Sequence, residues 1–141
     1  MKPWLLHAFT AMIFAGITTV IAKQGLAGVS AELGIAVRTV FVFFFVMVFV
    51  AFAVPLAEIK AIQQPSLTWL AISAFTTAVS RIYFYKALKE GDVATVALID
   101  KGSVVVAVIL AWLFLKETLT LRIVIGAALI VAGLIVISRR G

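Results

Sequence analysis

Five long apolar stretches separated by short polar breaks dominate this sequence, and no water-soluble fold can bury all of them. They cover residues 4–22, 33–54, 67–88, 93–115 and 119–138. A helix rises about 1.5 Å per residue, so about 20 apolar residues cross the roughly 30 Å of hydrocarbon in a bilayer. Runs this long lack the in-and-out alternation of barrel strands, and in lipid a helix satisfies its own backbone hydrogen bonds. The expected fold is an all-α integral membrane bundle of five transmembrane helices.

Composition points the same way. Of 141 residues, 65% are hydrophobic and 13% charged, against about 45–50% and about 25% in an ordinary soluble domain. Five spans take up about 100 residues, so we expect a single membrane domain over residues 1–141 without a soluble domain or linker. The apolar run after Met1-Lys2-Pro3-Trp4 has no small-residue cleavage site before a polar region, and is expected to be a retained helix. Pro55 closes the second stretch, since its ring removes a backbone donor. Trp4, Trp69, Trp112 and Tyr83 fall towards span ends, where amphipathic rings favour the headgroup layer.

The absence of cysteine excludes disulfides, thiolate metal sites and cysteine nucleophiles. The net charge of +6 comes from 12 Lys and Arg against 6 Asp and Glu. At span ends such residues meet anionic headgroups or set orientation, so no nucleic-acid partner is expected. Lys2, Lys60, Lys116 and Arg122 fall near one face; Lys23, Lys86, Lys89, Arg139 and Arg140 fall near the other. This balance barely selects an orientation. Counting the deeper basic residues makes the C-terminal face the cytoplasmic one, while insertion both ways remains physically open.

The informative residues are ionisable groups within apolar runs, because even permissive insertion scales assign roughly 2.5–3.5 kcal/mol to Arg, Lys or Asp at a helix centre. Arg38, Arg81, Asp100 and Lys101 are such groups, and Lys23 stands at the end of the first stretch. By helical rise Arg38, Arg81, Asp100 and Lys101 lie within roughly 6–12 Å of the membrane face at which Lys23 stands. One reading is a wet vestibule that attracts an anion or polar solute, with Asp100 as a proton or cation carrier and Arg81 or Arg38 as its partner. The other is structural: the cations snorkel to the interface, or an Asp–Arg pair only fixes helix register. Asp100 and Lys101 are about 100° apart around their helix, so one is expected to face the cavity and the other a neighbouring helix.

Other signals are weaker. His7 is the lone histidine and lies near an end. Phe41, Phe43, Phe44, Phe45 and Phe49 read as lipid-facing or packed bulk. Gly126 and Gly133, seven apart, share a helix face and suit a helix-packing interface. No GxSxG, HExxH, phosphate loop or paired-carboxylate motif occurs. No enzyme, metal or cofactor is expected.

The stretch YFYKALKEGDVATVALIDKGSVVVAVILAWLFLKETLTLRIVIGAALIVAGLIVI, residues 83–137, resembles the second part of an EamA-type domain of the drug/metabolite transporter superfamily. It has an aromatic-rich helix ending in KAL, a Gly-Asp turn, a long apolar helix ending in a Glu-containing turn, and a Gly-rich last helix. Lys116-Glu117 stand where that family usually has Gly-Glu, and Gly102-Ser103 stand where many longer relatives have Pro. Phe14-Ala15-Gly16 followed by Lys23, and Ala36-Val37-Arg38-Thr39, resemble its first two helices. Longer members carry ten helices in two inverted repeats, so the resemblance implies a chain equal to one half of an inverted-repeat transporter, of the short bacterial and archaeal branch. It further implies an inner-membrane homodimer resembling the small multidrug resistance proteins, with a parallel and an antiparallel arrangement both open. Those pumps keep an acidic residue in the first helix that this chain lacks, so their cationic substrates are not carried over.

The expected function is secondary transport of a small polar or anionic metabolite by alternating access, with a coupling ion and membrane lipid as further partners. Its site would comprise Lys23, Arg38, Arg81, Asp100 and Lys101. The alternatives are a flippase for lipid-linked headgroups and a non-transporting accessory membrane subunit.

Overall fold

The computed structural model describes residues 2–139, and the described elements are helices: α1 (Pro3–Gly25), α2 (Ala31–Ala53), α3 (Leu56–Lys60), α4 (Gln64–Glu90), α5 (Val93–Asp100), α6 (Ser103–Phe114) and α7 (Leu121–Ser138). Arg140, expected to anchor the end of the last span, lies outside the described residues. Four of the described helical stretches are long and apolar enough to cross a membrane: Pro3–Gly25, Ala31–Ala53, Val93–Phe114 and Leu121–Ser138. Their apolar windows are 0% buried within the chain. Phe52 is 90% exposed and Phe49 69%, a surface that needs lipid or another protein chain to cover it. The protein is therefore an all-helical membrane protein. α4 has the greatest length, 27 residues, yet Ser, Thr, Arg and Lys along it place it below the apolarity of the other four.

Helix ends follow local chemistry. Ser30 caps α2 by accepting from the Leu33 N–H at 3.2 Å, and Glu32 adds negative charge in the first turn, where the helix dipole favours it. α4 starts at Gln64, earlier than residue 67, because Pro65 sits in the first turn, where a missing N–H costs nothing. The polar connection before it holds the short α3.

The chain divides into two compact units, Ile21–Glu90 and Met1–Val20 with Gly91–Gly141. In the first, Leu26, Ala31, Tyr85 and Leu88 are buried, Leu88 completely. Gly34 is needed there, since a Cβ would overlap the Leu26 side chain. In the second, the expected single helix over 93–115 is interrupted at Lys101–Gly102. Across the junction the N–H groups of Gly102, Val104 and Val105 donate to the carbonyls of Ile99, Lys101 and Gly102 at 2.9, 3.1 and 3.0 Å. These are the tighter three-residue bonds of a 3₁₀ turn. A Cβ at Gly102 would stand 2.8 Å from Leu134 Cδ1 and 3.0 Å from the Ile99 carbonyl oxygen, so glycine lets α7 pack against the break.

Lys116, just past α6, has φ 53°. Its turn lets the Ala111 carbonyl accept from both Leu115 and Glu117 N–H groups, at 3.0 and 3.3 Å. A left-handed backbone costs an L-residue about 1–2 kcal/mol, partly offset by the entropy glycine would lose. Lys116→Gly should therefore stabilise the protein by roughly 0.5–1 kcal/mol. A higher unfolding midpoint in detergent checks this; an unchanged or lower one contradicts it.

Candidate functional site

Within Ile21–Glu90, α2 and α4 run antiparallel and are held in register at one end. Glu32 Oε1 and Lys86 Nζ lie 3.2 Å apart. Lys23 Nζ donates to the carbonyls of Leu88 and Lys89, at 2.6 and 3.2 Å, placing a cation where the dipole of α4 is negative. Lys89 Nζ donates to the Val29 carbonyl in the turn before α2. Gly28 in that turn has φ 72°, a conformation glycine adopts without steric cost.

That register sets the depth of the arginines. Arg38 is six residues beyond Glu32 and Arg81 five before Lys86, about 9 and 7.5 Å along their axes. The two therefore stand at almost the same level. Both line a cavity of about 750 Å³ between α2 and α4, within the usual range for small-molecule sites. From α2 it takes Glu32, Ile35, Ala36, Arg38, Thr39 and Val42; from α4 it takes Leu70, Ser73, Ala74, Thr77, Ala78, Arg81 and Ile82. Each set repeats every three or four residues, as one helix face must.

Both guanidiniums are half-buried and rest near rings: Arg38 Cζ is 6.0 Å from the Tyr85 centroid and Arg81 Cζ 5.3 Å from that of Phe84. Such contacts favour a cation without neutralising it. The carboxylate that lines this cavity, Glu32, is engaged by Lys86. The hydroxyls of Thr39 and Thr77 donate to the carbonyls of Ile35 and Ser73 on their own helices, at 2.7 and 2.8 Å. This leaves the arginines as the strong donors of the wall.

In the other unit, Asp100 and Lys101 line a second cavity of about 380 Å³ with Gly16, Thr19 and Val20 of α1 and Val93, Ala94 and Ala97 of α5. Asp100 ends α5 beside the 3₁₀ junction, through which the chain continues with helical angles into α6. Thr19 donates to the Ala15 carbonyl at 2.9 Å and so presents oxygen lone pairs. Among the described residues, no cluster of His, Cys, Asp and Glu could hold a metal ion.

The sequence matches the EamA-like transporter family over residues 2–139. The chain belongs to this family. It is accordingly a membrane transporter. It is 35% identical over 139 residues to an uncharacterised transporter encoded in the cobO 3′ region of a Sinorhizobium species, covering 97% of each chain. It is 38% identical over 76 residues to an uncharacterised protein of Methanocaldococcus jannaschii, covering 54% of this chain and 56% of that one. No solved structure matches significantly.

In this EamA-like chain the five residues expected to form the site fall into three settings. Arg38 and Arg81 line one cavity, Asp100 and Lys101 line another, and Lys23 caps α4. Asp100 and Lys101 share a lining although their positions on the helix differ by about 100°, since the cavity lies at the helix break. In their own unit no atom lies within 4 Å of where a Cβ would stand at Gly126 or Gly133. The sequence reading missed Thr39, Ser73 and Thr77. Their signal was spacing: Thr77 and Ser73 precede Arg81 by four and eight residues, and Thr39 follows Ile35 by four.

The capping geometry makes a prediction. Lys23→Met keeps the aliphatic stem but removes the donors, and should cost on the order of 1–2 kcal/mol of stability. The unfolding midpoint of the purified variant measures it. Unaltered stability with abolished solute uptake would instead place Lys23 in the transport path.

Proposed function

We propose that this EamA-like protein is a secondary transporter of a small polar or anionic solute, which it binds through Arg38 and Arg81 and carries by alternating access. The observation that carries the reading is the pair of half-buried guanidiniums at one depth on a single cavity. Arginine stays ionised in proteins, and a charge at membrane depth calls for water, a ring or a counter-anion. In this reading α4 is the fifth span despite its polarity, because its Ser, Thr and Arg face line a cavity rather than lipid. Asp100 at the end of α5 takes the coupling ion, in keeping with discontinuous helices whose C-terminal ends meet cations in transporters. Lys23 belongs to the scaffold.

The chain acts in the inner membrane as one domain, a single repeat completed by a second copy in a homodimer. The apolar windows left unburied within the chain and the open Gly126/Gly133 face of α7 support that partner.

Uptake into proteoliposomes tests the proposal. Each of Arg38→Ala and Arg81→Ala should lower uptake efficiency about 10- to 100-fold, the equivalent of about 1.5–3 kcal/mol for a charged hydrogen bond. Asp100→Asn should retain solute binding but lose acceleration by an imposed ion gradient. Uptake unaffected by any of the three would remove the site.

A further inference from the structure

We infer that the solute of the α2–α4 cavity is an amphipathic organic acid, a carboxylate on an apolar body, rather than a strongly hydrated anion such as a sugar phosphate. This rests on the proposal that the cavity is the solute site, and it deepens that proposal from the chemistry of the walls.

A hydrated anion with several hydroxyls needs donors and acceptors all around it, because each polar group left unpaired on leaving water costs affinity. This cavity supplies them at one level only. Arg38 and Arg81 stand opposite each other across the α2–α4 register, and their planar forks fit a carboxylate through paired N–H bonds. Deeper along the helices the lining is mainly aliphatic, with Val42 from α2 and Leu70 and Ala74 from α4, and the hydroxyl of Ser73 among them. The neutral polar groups do not alter this balance. The protons of Thr39 and Thr77 are committed to backbone carbonyls of their own helices, so neither donates to an anion and both present little more than a methyl and a lone pair. The Glu32 carboxylate, which would repel an acid, is held by Lys86 at 3.2 Å. The arrangement is a cationic end joined to an apolar trough, and its complement is a molecule with a charged head and a hydrophobic body. Outside the lining, the rings of Tyr85 and Phe84 lie 6.0 and 5.3 Å from the Arg38 and Arg81 guanidiniums and favour their charge.

The test is calorimetric titration of the intact protein in phosphatidylcholine nanodiscs with four probes: naphthalene-2-carboxylate, its neutral amide, acetate and glucose 6-phosphate. We expect the naphthoate to bind at least about tenfold more tightly than each of the others, a difference of about 1.4 kcal/mol. Arg38→Gln and Arg81→Gln should each remove that advantage, and Ala74→Leu, which fills the trough without touching the charges, should weaken the naphthoate and spare acetate. If glucose 6-phosphate binds as tightly as the naphthoate and depends on the arginines, this inference is overturned while the transport proposal stands. Equal binding of amide and acid in every variant would overturn both. Loss of naphthoate binding on adding phosphatidylglycerol to the nanodiscs, with dependence on Arg38 and Arg81 retained, would assign the cavity to a lipid headgroup and overturn the free acid.

Discussion

A guanidinium keeps its proton at any pH a cell offers, so two arginines at one level on the facing helices α2 and α4 dictate what must surround them. Neutralising by losing a proton, the route open to a buried Lys, is closed to Arg38 and Arg81. Their charge has to be met by rings, water or an anion. Tyr85 and Phe84 supply the rings, and the cavity between α2 and α4 supplies the space. The small residues Ala36, Ser73, Ala74 and Ala78 on the facing stripes create that space by leaving the helices without bulk to fill it.

What keeps the two charges level with each other is the end of the unit, not its middle. The Glu32–Lys86 pair is exposed, and an exposed ion pair adds little to stability. It marks which turn of α2 faces which turn of α4 without supplying the energy that holds them there. Lys23 on the last carbonyls of α4 and Lys89 on the Val29 carbonyl join the same end. Buried Leu88, Tyr85 and Leu26 lie in the same region, so apolar burial and the carbonyl-capping lysines fix the register that the arginines need.

Much of this was legible in the sequence because lipid imposes a strong pattern. Long apolar runs give helices, and Arg38, Arg81, Asp100 and Lys101 stand out as charges within them. The features that escaped are those where local geometry departs from an ideal rod. The Lys101–Gly102 junction carries no Pro and keeps helical backbone angles, so nothing but a single glycine marks it, and its need arises from Leu134, more than thirty residues on. Lys23 was legible as a cation at a span end, but whether it meets a solute or helix carbonyls depends on where α4 terminates in space. Thr39 and Thr77 did not stand out in the sequence, and that their hydroxyls are engaged by backbone carbonyls is visible only in the structure.

The two cavities differ in the kind of charge they carry, and that difference has mechanistic content. The α2–α4 wall has two fixed cations with rings behind them, and its carboxylate is engaged by Lys86. Its sign therefore does not vary with pH. The α1–α5 lining has one carboxylate and one ammonium, Asp100 and Lys101, at a point where the helix changes its hydrogen bonding. A carboxylate beside a helix terminus can bind or release a cation, and a 3₁₀ turn there can take up a change of backbone direction without breaking either half-helix. A permanently charged site suits recognition of a solute, whereas an ionisable site next to a backbone break suits coupling ion binding to movement. In the transport mechanism we propose, selectivity and switching are therefore separate, with arginine serving one and aspartate at a glycine junction the other.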